Sequence, residues 1–333
     1  MRALRYERPA DPQAAVALVH DTAGAVFLAG GTNLVDHLKI GVADPDVLVD
    51  ISHLPLDTVE ETTEGGLVVG ANVRNSDLAA HPLVRRRYPM LARALLSGAS
   101  PQLRNAATTG GNLLQRTRCP YFRDTSTPCN KREPGSGCSA LGGYTRYHAI
   151  LGASDHCVAT HPSDMAVAML ALDAEVLVLG PDGERAIAVE DFHRLPGDEP
   201  DRDTVLARDD LVIGVRIPPP RTALSTYRKV RDRASYAFAL VSVAAETTIA
   251  DGTVTDCRLA FGGVAHRPWR AHRAEAVLLG RPPGDDVFAE AADAELAEAR
   301  PLDGNAYKIP LLRRTVVAVL RELHERAERG GTA

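Results

Sequence analysis

Residues 116–161 of this chain show no helical or strand-like repeat of apolar residues. The stretch holds four of the five cysteines, Cys119, Cys129, Cys138 and Cys157, among Pro120, Pro128, Pro134, Gly135, Gly137, Gly142 and Gly143. A loop of this length without its own periodicity is either disordered or functional, and its density of thiols places it in the second class. Structural thiols would be scattered; in a reducing compartment, clustered thiols read as metal or redox ligands before disulfides. Cys257 stands alone. The N-terminal run Met1-Arg2-Ala3-Leu4-Arg5-Tyr6-Glu7-Arg8-Pro9 has no apolar h-region and does not read as a secretory signal, so a cytoplasmic protein is expected. A periplasmic location would require export in the folded state with a partner subunit that carries the signal.

The cysteine spacing is C-x9-C-x8-C-x18-C. It lacks the C-x2-C pairs of zinc ribbons and the short repeats of ferredoxins. Four thiolates on a loop can hold a [4Fe–4S] cluster, one cysteine per iron, or a structural zinc. The spacing alone favours neither. His148, His156 and His161 lie nearby and suit zinc, but read more simply as surface or hydrogen-bonding residues.

Both flanks of this segment are periodic. Before it, the pattern gives a helix at 11–19 capped by Asp11, a strand at 25–29, a helix at 32–39 and a strand at 47–51. A strand at 67–71 follows, then a helix capped by Asn75 or Ser76, a helix at 91–96, and a small-residue strand and turn at 106–113. After it come a helix at 163–172, a hairpin of 174–179 with 186–189, and a strand at 211–217. The run Pro218-Pro219-Pro220 marks a domain boundary. Beyond it, strands at 227–230, 240–249 and 253–261, the last two joined at Asp251-Gly252, precede helices at 271–279, 285–299 and 311–327. Strands followed by helices make an α+β layer. The division expected is 1–220, with lobes of about 1–55 and 56–220 and the cysteine-rich insertion at 115–161, then 221–333.

With 38 basic and 43 acidic residues the net charge is −5, which speaks against nucleic acid as a partner. No run approaches the ~18–20 apolar residues of a membrane span.

Two loops carry chemistry on local grounds. Leu28-Ala29-Gly30-Gly31-Thr32-Asn33-Leu34 sets two glycines and two small polar residues between a strand and a helix. Thr108-Thr109-Gly110-Gly111-Asn112 repeats the device. Glycines let backbone N–H groups approach a phosphate. Two such turns suggest a long anionic ligand clamped at two points, and a dinucleotide with a pyrophosphate fits. Neither turn is G-x-G-x-x-G, and no P-loop lysine follows. Ser163-Asp164 is either a helix cap or a carboxylate for a ligand hydroxyl. Lys229 and Arg233 are either a solvated strand end or cations near a cofactor ring.

These pieces occur in one order with Leu103-Arg104-Asn105, Pro162-Ser163-Asp164 and Phe261-Gly262-Gly263-Val264. That order resembles the FAD-binding subunit of the molybdenum hydroxylases, the xanthine dehydrogenase and aldehyde oxidoreductase family. The resemblance implies an α+β fold: a two-lobed FAD-binding module of the PCMH/VAO type with a C-terminal α+β domain. It implies FAD contacts from Leu28, Ala29, Gly30, Gly31, Thr32, Asn33 and Leu34 in the first loop. In the second it implies Thr108, Thr109, Gly110, Gly111 and Asn112, with Asp164 and Lys229 beyond. The segment from Gln115 through Cys138 is similar to a subset of bacterial aldehyde oxidoreductases with an extra cluster, which implies a [4Fe–4S] centre on Cys119, Cys129, Cys138 and Cys157. The partners implied are a molybdenum-cofactor subunit, a [2Fe–2S] subunit and an external electron acceptor. No residue of this chain is expected to act as a catalytic acid or base. A stand-alone FAD oxidase and a zinc-stapled binding module are the other readings.

Overall fold

The computed structural model describes residues 3–222 and 224–330; Met1 and Arg2 of the N-terminal run lie outside them. The first lobe is a three-stranded parallel sheet in the order Arg5–Glu7, Val47–Asp50, Ala25–Leu28. Helix Pro12–Asp21 packs on it. Asp11 accepts the N–H of Ala14 at 2.7 Å, Pro12 takes the first helical position, and Ala15, Val16 and Val19 face inward. Leu179 and Leu211 of the next sheet complete this small core, so the two lobes share it.

The second lobe is a five-stranded antiparallel sheet in the order Val59–Glu61, Leu67–Gly70, Leu211–Ile217, Glu175–Gly180, Gly183–Ala188. Helix Asp164–Ala171 lies against it with every residue buried. That burial follows from its composition, which has no polar face beyond its first residue. The same core takes in Tyr227, Ala244 and Ala260 from the C-terminal sheet, so the helix is packed on two sides.

The C-terminal sheet runs in the order Trp269–Arg270, Thr253–Gly262, Val241–Ala250, Ser225–Val230. Its alternation divides the faces. Ala244 and Ala260 join the core of the buried helix, whereas Val243, Ala245, Leu259 and Phe261 pack under helices His272–Leu278, Asp285–Leu296 and Lys308–Gly330. The short strand Trp269–Arg270 is too brief for a periodic signal. Among the described residues no helix is long and apolar enough to cross a membrane.

Two expectations change. Arg74, not Asn75 or Ser76, stands at the N-cap of helix Asn75–Ala80, which has no side-chain cap hydrogen bond. Residues 109–113 form a short helix, not a strand end, because the Thr108 hydroxyl accepts the Gly111 N–H at 3.3 Å and caps the turn. The cysteine-rich stretch keeps little regular structure beyond helix Pro120–Arg123 and isolated bridges between Cys129 and Cys138 and between Ser154 and Cys157.

Two buried histidines tie these layers. His193 holds the Leu113 carbonyl at 2.9 Å, and His266, on the loop after Thr253–Gly262, holds the Arg194 carbonyl at 3.0 Å. Burial pushes both rings down to about 4. Between pH 6.5 and 4 the unfolded chain therefore binds protons that the folded chain refuses, so stability is complete above that window and falls as the pH drops through it. We expect a loss of about 1–2 kcal/mol per ring between pH 6.5 and pH 5. Urea midpoints at pH 7.5, 6.5 and 5.0 measure it; a flat profile would show that the rings are not held neutral.

Candidate functional site

A cavity of about 840 Å³ opens where the two lobes meet the C-terminal sheet. Thr32 and Asn33 line one end, Gly111 and Asn112 one wall, Asp164 and Lys229 the floor, and residues 236–239 the far rim. Thus six of the fourteen residues expected to contact FAD reach one space, and Arg233 and Cys119 reach it too. Leu28, Ala29, Gly30, Gly31, Leu34, Thr108, Thr109 and Gly110 do not line it; they shape the loops behind it.

Gly30 is required by close approach. A Cβ on it would lie 2.0 Å from the Ala106 carbonyl oxygen, so the two glycine loops touch only because this side chain is missing. Gly31 sits at φ +69°, a conformation that strains an L side chain. Gly111 is helical, and a Cβ there would press on the capping Thr108 hydroxyl at 2.9 Å. Asn33 accepts the Arg116 N–H at 2.9 Å and so ties the first loop to the start of the cysteine-rich stretch. Thr109 is fully buried and gives its N–H and its hydroxyl to the Val73 carbonyl. Asn112 accepts the Ser163 hydroxyl at 2.6 Å, which joins the second loop to the buried helix.

Ser163 and Asp164 divide the two roles open to them. The Ser163 oxygen caps the helix by accepting the Ala166 N–H at 2.9 Å. Asp164 turns to the cavity floor, where Lys229 donates to it at 2.8 Å and the Tyr227 hydroxyl at 2.5 Å. The side chains of Lys229 and Asp164 are 3% and 7% exposed. Lys229 is therefore a buried, neutralised cation, not the solvated strand end. Its second tie is the Ser97 carbonyl at 3.1 Å. Burial, with Asp164 alongside, holds the Tyr227 phenol well above its usual range, so it stays a donor.

Several lining residues give no sequence signal. Arg118 projects into the cavity from the aperiodic stretch and makes no ion pair among the described residues. Burial and the neighbouring Arg123 lower it to about 10, and its guanidinium stacks on Phe238 at 5.2 Å. The side-chain oxygen of Asn75, buried in the wall, has no protein partner. A guanidinium that donates to the Arg116 carbonyl at 2.6 Å but has no carboxylate partner among the described residues, a bare amide oxygen and glycine-lined walls suit a ligand with a diphosphate and hydroxyls. A cation in an aperiodic loop has no pattern to betray it, and Asn75 is legible in the sequence only as a candidate helix cap.

All four clustered cysteines line a second, small pocket, and none of the chain's five is in a disulfide. Backbone N–H groups of Tyr121 and Phe122 point at the Cys119 sulfur and that of Ala159 at Cys157. Burial pushes the Cys119 thiol up to about 12 and the Cys157 thiol up to about 11. A bound metal would have to displace those protons. Among the described residues no three His, Cys, Asp or Glu side chains converge closely enough to hold a single ion. The thiols surround a space instead of meeting at a point. Cys119 lines both this pocket and the large cavity. Cys257 is buried in the C-terminal core, apart from both.

A family model for the FAD binding domain in molybdopterin dehydrogenase matches residues 2–220, and one for the CO dehydrogenase flavoprotein C-terminal domain matches residues 225–323. The chain belongs to the FAD-binding subunits of the molybdenum hydroxylases. Within that family it is 52% identical over 329 residues to the aldehyde oxidoreductase FAD-binding subunit PaoB of Escherichia coli K12, across 98% of this chain and 100% of the other. It is 26% identical to the carbon monoxide dehydrogenase medium chain of Hydrogenophaga pseudoflava, across 90% and 88%. Its fold matches a solved carbon monoxide dehydrogenase of that organism, one lacking the Mo-pyranopterin moiety, with a TM-score of 0.76 at 27% identity over 98% of each chain. The flavin of a FAD-binding subunit sets aside the zinc-stapled binding module. Membership among oxidoreductase subunits sets aside the stand-alone oxidase.

The glycine contacts make a sharp prediction. Gly30→Ala should separate the two loops and lower flavin retention more than tenfold. Gly284→Ala, with nothing within 4 Å of its Cβ, should keep full flavin. Flavin absorbance per folded chain after desalting is the measurement, and full flavin in Gly30→Ala would show that the loop contact does not shape the site.

Proposed function

We propose that this subunit holds FAD in the large cavity and a [4Fe–4S] cluster on Cys119, Cys129, Cys138 and Cys157. In this reading it receives electrons from a molybdenum-cofactor subunit through a [2Fe–2S] subunit and delivers them to an external acceptor. The observation that carries it is the wall at Cys119, which one four-thiol pocket and one flavin-sized cavity share. Bound FAD supplies two-electron and one-electron chemistry in one group, and a cluster supplies one-electron transfer.

The chain's own residues then have defined work. Thr32, Asn33, Gly111, Asn112 and Arg118 bind the anionic part of the cofactor. Asp164 and Lys229 orient the rest from the floor, with Leu28, Ala29, Gly30, Gly31, Leu34, Thr108, Thr109 and Gly110 fixing the loops. Since Asp164 balances Lys229, the floor offers directed hydrogen bonds rather than net charge. Four thiols that line one pocket, with no three of them converging on a single point among the described residues, support a cluster over one zinc ion, and the N–H groups aimed at two of the sulfurs suit a thiolate centre of either kind. The similarity to PaoB supports an aldehyde as the substrate of the complex.

Anaerobically purified chain should contain one FAD, four irons and four acid-labile sulfides, unchanged by Cys257→Ser. Alone it should oxidise no aldehyde. One zinc without sulfide would overturn the cluster, and aldehyde turnover by the isolated chain would overturn the subunit role.

The floor pair is tested separately. Lys229→Met should lower stability by about 3–5 kcal/mol by stranding a buried carboxylate, and Asp164→Asn with Lys229→Met should recover most of it. The double variant should still retain less flavin. Full flavin in it would make the pair purely structural.

A further inference from the structure

We propose that His148 is a positioning residue for Cys119, donating its Nε2–H to the sulfur and so raising the reduction potential of the centre held there. The proposal rests on the [4Fe–4S] reading above.

His148 Nε2 stands 3.2 Å from the Cys119 sulfur. The ring is buried and also lines the flavin cavity, so it sits in the wall that divides the two sites. Its other nitrogen, Nδ1, is buried without a partner. A neutral imidazole has one N–H, and a ligating thiolate has only lone pairs to offer. A ligating thiolate can only accept, so the contact with Cys119 is a hydrogen bond only when Nε2 carries the proton.

The ring has little freedom to leave. Asn305 and Lys308 of the C-terminal domain both donate to the His148 carbonyl, at 3.1 and 2.9 Å. Lys308 is fully buried and reaches the Gly263 carbonyl at 2.7 Å as well. Asn305 takes a second hold on the Ala149 carbonyl, and the Tyr307 hydroxyl donates to the Arg146 carbonyl. On the other side the ring stacks on Tyr121, two residues past Cys119. The C-terminal domain thus grips the aperiodic loop at the residue that touches the first cysteine.

A hydrogen bond to a ligand sulfur draws charge from it, and the reduced cluster carries one more negative charge than the oxidised one. The bond is therefore stronger in the reduced state, and its loss lowers the potential.

The test uses full chain, purified anaerobically, in three forms: unaltered, His148→Phe and His148→Gln. Phenylalanine keeps a ring on Tyr121 without a donor, and glutamine keeps an N–H. Iron and sulfide are counted first. Potentials then come from mediator-poised titration followed by electron paramagnetic resonance, a readout independent of turnover. We expect four irons in each. In His148→Phe the reduced-to-oxidised ratio at fixed poise should fall about tenfold, roughly 59 mV for one electron, with His148→Gln between. Loss of iron from His148→Phe alone also supports the donor. An unchanged potential in loaded His148→Phe overturns the proposal, as does loss of iron from both variants, which would make the ring structural. Absence of iron and sulfide from unaltered chain overturns the cluster reading itself, and is recognised before any variant is measured.

Discussion

The pair of Asp164 and Lys229 is the fixed point of the molecule. Taking a carboxylate and an ammonium out of water is costly, and the cost is met only when each has further partners in good geometry. Here the Tyr227 hydroxyl and the Ser97 carbonyl are those partners. The four groups come from the buried helix, the first C-terminal strand and the end of helix Pro89–Ser97. The pair can be made only when the C-terminal sheet is docked on the second lobe. The same docking creates the cavity floor, so assembly of the fold and formation of the site are one event.

The walls are stitched by similar short ties. Gly30 lets the two loops meet, Asn33 reaches Arg116, and Asn112 reaches Ser163. Each tie spans many residues of sequence and only a few ångströms of space. Loops held this way present backbone groups at fixed positions, which is what binding a long anionic cofactor demands.

The cysteine-rich stretch follows the same logic without regular structure. Its backbone pairs with itself at few points, so outside groups hold it. Lys131 is buried and pairs with Asp203 at 2.5 Å, while Arg116 takes the other oxygen of Asp203 at 2.6 Å. Residues 304–308 hold its far end. Clamped at both ends, the loop brings four thiols to one pocket although eight or more residues separate each from the next.

Much of this was written in the chain order. Apolar alternation and helical spacing marked the three sheets and their main helices, because burial of one face leaves a period in the sequence. Gly30-Gly31, Gly110-Gly111 and the four cysteines declared themselves through residue type. The helix at 109–113 escaped because its cap competes with a strand-like run of small residues. Arg118 escaped because a side chain in an aperiodic loop carries no period, and Asn75 and His148 were legible only as a candidate helix cap and as a neighbour of the cysteines. Sequence by itself determined which residues are available for chemistry and which segments must be buried. Only the tertiary structure decided that Asp164 neutralises Lys229, that Gly30 meets Ala106, and that Cys119 stands in a wall between two sites. Those contacts join residues 29 to 76 positions apart, and such pairings exist only after the layers have packed.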